Sequence, residues 1–137
     1  MKEGMKKNIE RKKPSIDDVT MWNGIPLFSF VELNINEICN RKCAFCPRND
    51  PSSYPNQNIH MSLEIVEKIS KQLQELNFKG IVNISGTGES LLTKHIVDIV
   101  KLFGDKNIHV EIVTNGDVLK SKNGKKLISD IYNAGLS

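Results

Sequence analysis

The sequence predicts an α/β fold, and three observations predict it. A strand-like run gives way to a helical run three times in succession. Each strand-to-helix junction carries polar or glycine residues suited to a turn. The strands alternate apolar and polar side chains, so one face suits helices and the other suits water.

The first strand is read in "FSFVELNIN", residues 28–36, and a long polar loop follows it to Ser62, a helix cap. The helix "SLEIVEKISKQLQEL" then places Ile65, Ile69, Leu73 and Leu76 on one stripe, and Gly80 ends the unit. The second strand, "IVNIS", enters the glycine-bearing turn "GTGES", and a helix near residues 93–103 follows, with Ile96, Val97, Val100 and Phe103 among its apolar positions. The third strand, "IHVEIVT", runs into "NGD". The last helix, "GKKLISDIYNAGL", groups Leu127, Ile128 and Ile131 before Gly135 stops it.

Strand followed by helix implies parallel strands and right-handed crossovers. All three post-strand loops then open on one edge, where α/β proteins keep their ligands. The strands carry a further clue, because a parallel strand covered on both faces is almost continuously apolar. Here Val31, Leu33 and Ile35 share one face while Glu32, Asn34 and Asn36 share the other. Val82 and Ile84 alternate with Asn83 and Ser85, and Ile108, Val110 and Ile112 with His109 and Glu111. An open, curved sheet whose polar face lines a chamber produces this pattern, and so does a sheet whose second face simply meets solvent.

A chain of 137 residues holds about one domain. It divides into a basic tail and lead-in, residues 1–25, and a core over residues 26–137. No apolar run reaches the roughly 18–20 residues of a membrane span, and "MKEGMKKNIERKKP" lacks the apolar stretch of a secretory signal. These features point to the cytoplasm. The net charge of +3 is carried by Lys2, Lys6, Lys7, Arg11, Lys12 and Lys13, all before Pro14. That run has no interleaved aromatic, so it reads as a solvated tail rather than a nucleic-acid patch.

The chain has three cysteines, Cys39, Cys43 and Cys46, in a C-x3-C-x2-C run. Three does not suit paired disulfides, and a structural zinc site wants four ligands. His60 is the nearest fourth ligand in sequence, at no standard zinc spacing. A redox pair of Cys43 and Cys46 leaves Cys39 unexplained. An iron-sulfur cluster accounts for all three thiols and leaves one iron open.

The run "CNRKCAFC", with Phe45 just before the last cysteine on a loop after the first strand, resembles the signature of the radical S-adenosylmethionine (radical SAM) superfamily. "SGTGESLL" is similar to that family's glycine-rich turn, and "TNG" after the third strand is common there. The resemblance covers roughly residues 27–137. It implies an enzyme in which Cys39, Cys43 and Cys46 hold a 4Fe-4S cluster and S-adenosylmethionine chelates the open iron. One electron, from an external donor, then breaks the sulfonium C–S bond, and a 5'-deoxyadenosyl radical abstracts hydrogen from the substrate. Phe45 would lie beside the adenine, and Thr87, Gly88 and Glu89 would meet the methionine end. Asn115, with Gly116, is either a further cofactor contact or a plain turn. The family often reads Gly-Gly-Glu-Pro at the second turn, where this chain has Thr87 for the first glycine and Ser90 for the proline.

Arg48 either neutralises cluster or carboxylate charge or is a solvated loop residue, and Trp22 and Tyr54 read as packing and loop residues. The family builds a partial TIM-type barrel of about six β/α units. The pattern here ends after three, at "NAGLS". The sequence therefore reads as the first three units of a truncated (β/α)6 barrel, a fragment or a half-barrel completed by a partner chain. Strand three would expose an unpaired edge. The isolated chain is expected to load a cluster poorly and turn over little. Substrates of relatives with such loops are often peptides or sugar-like small metabolites, frequently with further cluster domains downstream. The competing expectation is an iron-sulfur binding or electron-transfer module without radical catalysis, with a zinc-binding fold as a third.

Overall fold

The structure is a computed structural model, and it describes residues 19–137. The basic run from Lys2 to Lys13 lies outside the described residues. The first described element is a hairpin of β1 (Met21–Trp22) and β2 (Ile25–Pro26). Asn23 and Gly24 close it with φ of 50° and 80°, the left-handed pair of a type I′ turn. The sequence reading places these residues in the lead-in, although Asn-Gly between short apolar runs is itself a hairpin signal.

The body is a three-stranded parallel sheet in the order β3 (Phe30–Leu33), β4 (Ile81–Ile84), β5 (His109–Ile112). Helices α1 (Leu63–Glu75), α2 (Ile96–Gly104) and α3 (Gly124–Asn133) follow the strands in turn. The register sets Val31 beside Val82 and Val110, and Leu33 beside Ile84 and Ile112, on the helix-covered face. Val82, Ile84 and Val110 are fully buried there with Val66, Ile99, Val100 and Phe103 of the helices. The α/β architecture and the one-sided apolar pattern are as predicted. The first strand is shorter than residues 28–36, because after Leu33 the chain leaves the ladder and Asn36 forms an isolated antiparallel bridge with His60.

In two helices one predicted core residue turns outward, while Ile69, Leu73, Leu127 and Ile131 pack on the core as expected. In α1 the buried positions are Val66, Ser70 and Leu73, whereas Ile65 is 50 % exposed. In α3 Ile131 is buried while Ile128 is 52 % exposed. Adjacent residues lie about 100° apart around a helix, so a mixed apolar pattern supports two neighbouring stripes. The packed partner selects between them. Ser70 can be that deep because its hydroxyl donates to the Glu67 carbonyl at 2.9 Å and its small side chain admits close approach.

Each helix ends in the same way. Asn77, Asn107 and Gly135 have φ of 52°, 54° and 109°. The next residue's N–H donates back to the helix: Phe78 to Leu73 O at 3.0 Å, Ile108 to Phe103 O at 3.1 Å, Leu136 to Ile131 O at 3.3 Å. These are Schellman closures, with an apolar residue folding back after each left-handed stop. Asn77, not Gly80, thus ends the first unit. Gly80 serves another purpose: a Cβ there would stand 2.1 Å from Ser29 O, the atom that accepts from Ile81 N as β4 begins. After the third closure Ser137 N donates to Val110 O at 3.1 Å, so the chain leaves α3 alongside the outer edge of β5. That edge is therefore partly paired, where an unpaired one was expected.

Candidate functional site

The three loops after the strands gather at the carboxyl edge, and buried side chains join them. Asn36, at 3 % exposure, donates to Glu89 O at 2.9 Å and Thr93 Oγ1 at 2.5 Å. Its Oδ1 accepts from Ile38 N at 3.2 Å. A Cβ on Gly88 would meet Asn36 Oδ1 at 1.9 Å and Asn36 O at 2.4 Å. The absence of a side chain at 88 thus lets the second turn cross the end of the first strand. Close approach was expected of Gly88 toward a ligand; the close neighbour found is Asn36.

Glu89 is likewise turned into the protein. Its carboxylate, 3 % exposed as a residue, accepts from Leu91 N at 3.0 Å, Thr114 Oγ1 at 2.6 Å and Asn115 N at 2.7 Å. A buried carboxylate needs such donors to offset lost hydration. The consequence is that the second turn fixes the third. Ser90 adds to this, donating to Val113 O at 3.0 Å and Ile84 O at 3.3 Å, bonds that a proline at this position lacks.

The cysteine loop is held at both ends. Asn56 brackets Cys39, accepting from its N–H at 2.8 Å and donating to its carbonyl at 3.0 Å. Cys46 N donates to Cys43 O at 2.9 Å, and a short 3-10 turn, Pro47–Asn49, follows. Arg48 is buried, at 4 % exposure. It pairs with Glu37 Oε2 at 2.5 Å, donates to Thr87 O at 2.7 Å and Pro55 O at 3.0 Å, and lies over the Tyr54 ring at 4.7 Å. Tyr54 Oη reaches Glu37 at 2.9 Å and Thr87 Oγ1 at 3.1 Å. Arg48 is thus neither a solvated residue nor directed at an open ligand position. It clamps the loop to the second turn, and Tyr54 is part of that clamp.

On the far side, Arg41 forms a two-pronged ion pair with Asp117, at 2.5 and 2.6 Å, and Lys120 reaches the same carboxylate at 2.7 Å. Hydrogen bonds from Arg41 and Lys120 hold the Asp117 carboxyl well below the usual carboxylate range, and the pairing raises Arg41. Asn115 donates to Asn40 Oδ1 at 2.8 Å and stands 4.0 Å from Cys39 Sγ. The third turn is therefore tied to the cysteine loop, which goes beyond a plain turn.

Cys39, Cys43 and Cys46 are free thiols, each partly exposed. As placed, no group of three or more His, Cys, Asp or Glu side chains among the described residues is arranged to hold a metal ion. The chemistry of the donor set nonetheless fits a cluster: three thiols on one loop with no disulfide partner, and an amide donor beside Cys39. His60 is not drawn to them; its Nε2 lies 2.9 Å from Asn58 Oδ1. Phe45 is 93 % exposed at the loop tip. Sequence reasoning missed Asn36, Glu37, Asn56, Asp117 and Arg41. Asn36 alone carried a signal, as a polar residue continuing a strand toward the loop edge.

A sequence model of the Radical SAM superfamily matches residues 33–137, and the chain belongs to that superfamily. Among characterised relatives, S-adenosyl-L-methionine-dependent 2-deoxy-scyllo-inosamine dehydrogenase of Niallia circulans is 32 % identical over 98 residues, covering 70 % of this chain and 38 % of its own. GTP 3',8-cyclase of Clostridium perfringens is 27 % identical over 96 residues, 68 % of this chain and 29 % of its own. Among solved structures, BtrN in complex with AdoMet and 2-DOIA superposes with a TM-score of 0.70 at 28 % identity, over 80 % of this chain and 43 % of that one. BtrN in an open conformation gives 0.64 at 28 % identity. The chain thus spans less than half the length of each of these proteins. No helix among the described residues is long and apolar enough to cross a membrane.

Proposed function

We propose that this chain is the cofactor-binding part of a radical SAM enzyme, with the first three units of a partial (β/α)6 barrel. The observation that carries the reading is the joining of the three-cysteine loop to the "GTGE" and "TNG" turns at one sheet edge, in a chain of this superfamily. Cys39, Cys43 and Cys46 would hold a 4Fe-4S cluster, leaving one iron for S-adenosylmethionine. When bound, this pair supplies one-electron cleavage of the sulfonium C–S bond and starts hydrogen abstraction from a substrate.

The chain's own residues do the positioning. Arg48 and Asn56 fix the two ends of the cysteine loop, so the thiols need little reorganisation to meet a cluster. Glu89 orients Asn115, whose amide N–H donates toward Cys39 and can temper thiolate charge. Thr87 and Gly88 form the rim that would face the methionine end, and Phe45 is free to cover the adenine. An external electron donor is required, and the free thiols suit a reducing compartment such as the cytoplasm. The dehydrogenase and cyclase relatives act on small polar molecules by their names, which favours a small metabolite over a peptide. Further β/α units or a partner chain would close the chamber beside β5, where Ser137 already pairs.

The test is anaerobic reconstitution followed by EPR of the reduced protein. The expected result is partial loading, with iron and labile sulfide in a ratio near that of a 4Fe-4S cluster and a signal that changes when S-adenosylmethionine is added. A fully loaded cluster whose signal ignores S-adenosylmethionine would assign the chain to electron transfer instead. Metal without labile sulfide would point to zinc.

A further inference from the structure

The polar face of the sheet holds a row that the cofactor site does not use. The register places Glu32, Asn83 and Glu111 side by side across β3, β4 and β5. Neighbouring strands lie about 4.8 Å apart, so the two carboxyl-bearing residues stand on the order of 10 Å apart with an amide between them. The row lies one residue before the strand ends, roughly 3 Å below them. Glu32 is exposed and forms no ion pair among the described residues. Glu111 is half-sheltered, with His109 Nε2 3.8 Å from its Oε1.

Asn83 is the telling member. It is 8 % exposed, yet its amide makes no hydrogen bond to any described residue. The amide itself is not sealed from solvent, so its hydrogen-bonding capacity is left for the open face rather than spent within the protein. In the middle of a parallel sheet, an apolar residue would be the ordinary choice. An amide kept there with its polar end toward the open face is what recognition of a hydroxyl-rich ligand requires, since it can both donate and accept.

We propose that Glu32, Asn83 and Glu111 form the floor of the substrate site and select a small, hydroxyl-rich molecule that carries a primary ammonium group. This rests on the reading of the open face as the reaction chamber. Glu32, without an ion pair, takes the ammonium; Asn83 and Glu111 take hydroxyls. The Glu32 carboxylate repels anionic substrates such as nucleotides, so the row works against that class as well as for amines.

Glucosamine and glucose make a matched probe pair, differing by an amine in place of one hydroxyl. Their binding to the whole chain is measured at pH 6.5 by two-dimensional NMR, following the Asn83 side-chain amide and the backbone of β3 to β5. Glucosamine is expected to shift the Asn83 amide and to bind about tenfold more tightly than glucose, a charge-assisted contact's worth. Glu32→Gln, at an exposed position that leaves the core intact, is expected to erase that preference while glucose binding stays as it was. Equal binding of both sugars, shifts confined to other surfaces, or an unchanged preference in Glu32→Gln would overturn the proposal. EPR with S-adenosylmethionine on the same preparation reports the cofactor reading separately, so either can fail alone.

Discussion

Arg48 shows how a single residue organises the site. Its guanidinium serves Glu37, Thr87 and Pro55 at once while stacking on Tyr54, a set that needs a planar fork and not simply a positive charge. Arg48→Met would leave Glu37 without its cation and two carbonyls without a donor. The expected cost is on the order of 2–4 kcal/mol in urea unfolding, with Arg48→Lys recovering only part of it. Asp117 offers a pH test. Its folded carboxyl titrates below its ordinary 3.8, through hydrogen bonds from Arg41 and Lys120. A depressed folded value means that its contribution is complete above the unfolded value and is lost as pH falls through the folded one. Carbon-detected titration should therefore find Asp117 still ionised at pH 3.8, where an unpaired aspartate is half protonated. Asp50 should behave similarly, lowered to about 2 by the hydroxyls of Ser52 and Ser53.

At the level of elements, the repeated left-handed stop explains why three units of unlike sequence have one plan. Asn77 and Asn107 do what Gly135 does, because asparagine tolerates that conformation better than most residues with a side chain. The turns are less forgiving. Gly88→Ala would drive a methyl into Asn36 and should lower stability by about 1–3 kcal/mol, with loss of the Asn36 to Glu89 bond visible in the Asn36 side-chain NMR signals. On α1 the outward Ile65 makes a clean contrast with its neighbour. Val66→Ala removes a fully buried side chain and should cost roughly 1–3 kcal/mol. Ile65→Ala should fall within about 0.5 kcal/mol of the parent, the reverse of what the predicted stripe implies.

At the scale of the molecule, the cysteine loop is anchored twice: at a buried clamp through Arg48 and at an exposed latch through Arg41 and Asp117. An exposed pair adds little to global stability but can govern local opening. Asp117→Asn should therefore leave the unfolding midpoint nearly unchanged while hydrogen exchange quickens over residues 39–46. Equal exchange in both proteins would mean that the buried clamp alone holds the loop.

Much of this molecule is legible in its sequence. The α/β plan, the parallel order and the shared loop edge follow from local periodicity and from the handedness of crossovers, which need no tertiary information. The superfamily is legible because the C-x3-C-x2-C run, which resembles its signature, lies within one contiguous loop. What only the tertiary structure decided is which partners each polar residue meets. Glu89 and Arg48 are read in sequence as ligand contacts or solvated charge, and in the fold they are buried ties between loops. The side of α1 that packs was likewise set by its neighbour. Chain-local patterns fix the direction of backbone and side chain, but burial and pairing depend on residues far apart in sequence, as with Asn36 and Glu89, and those meet only once the sheet has formed.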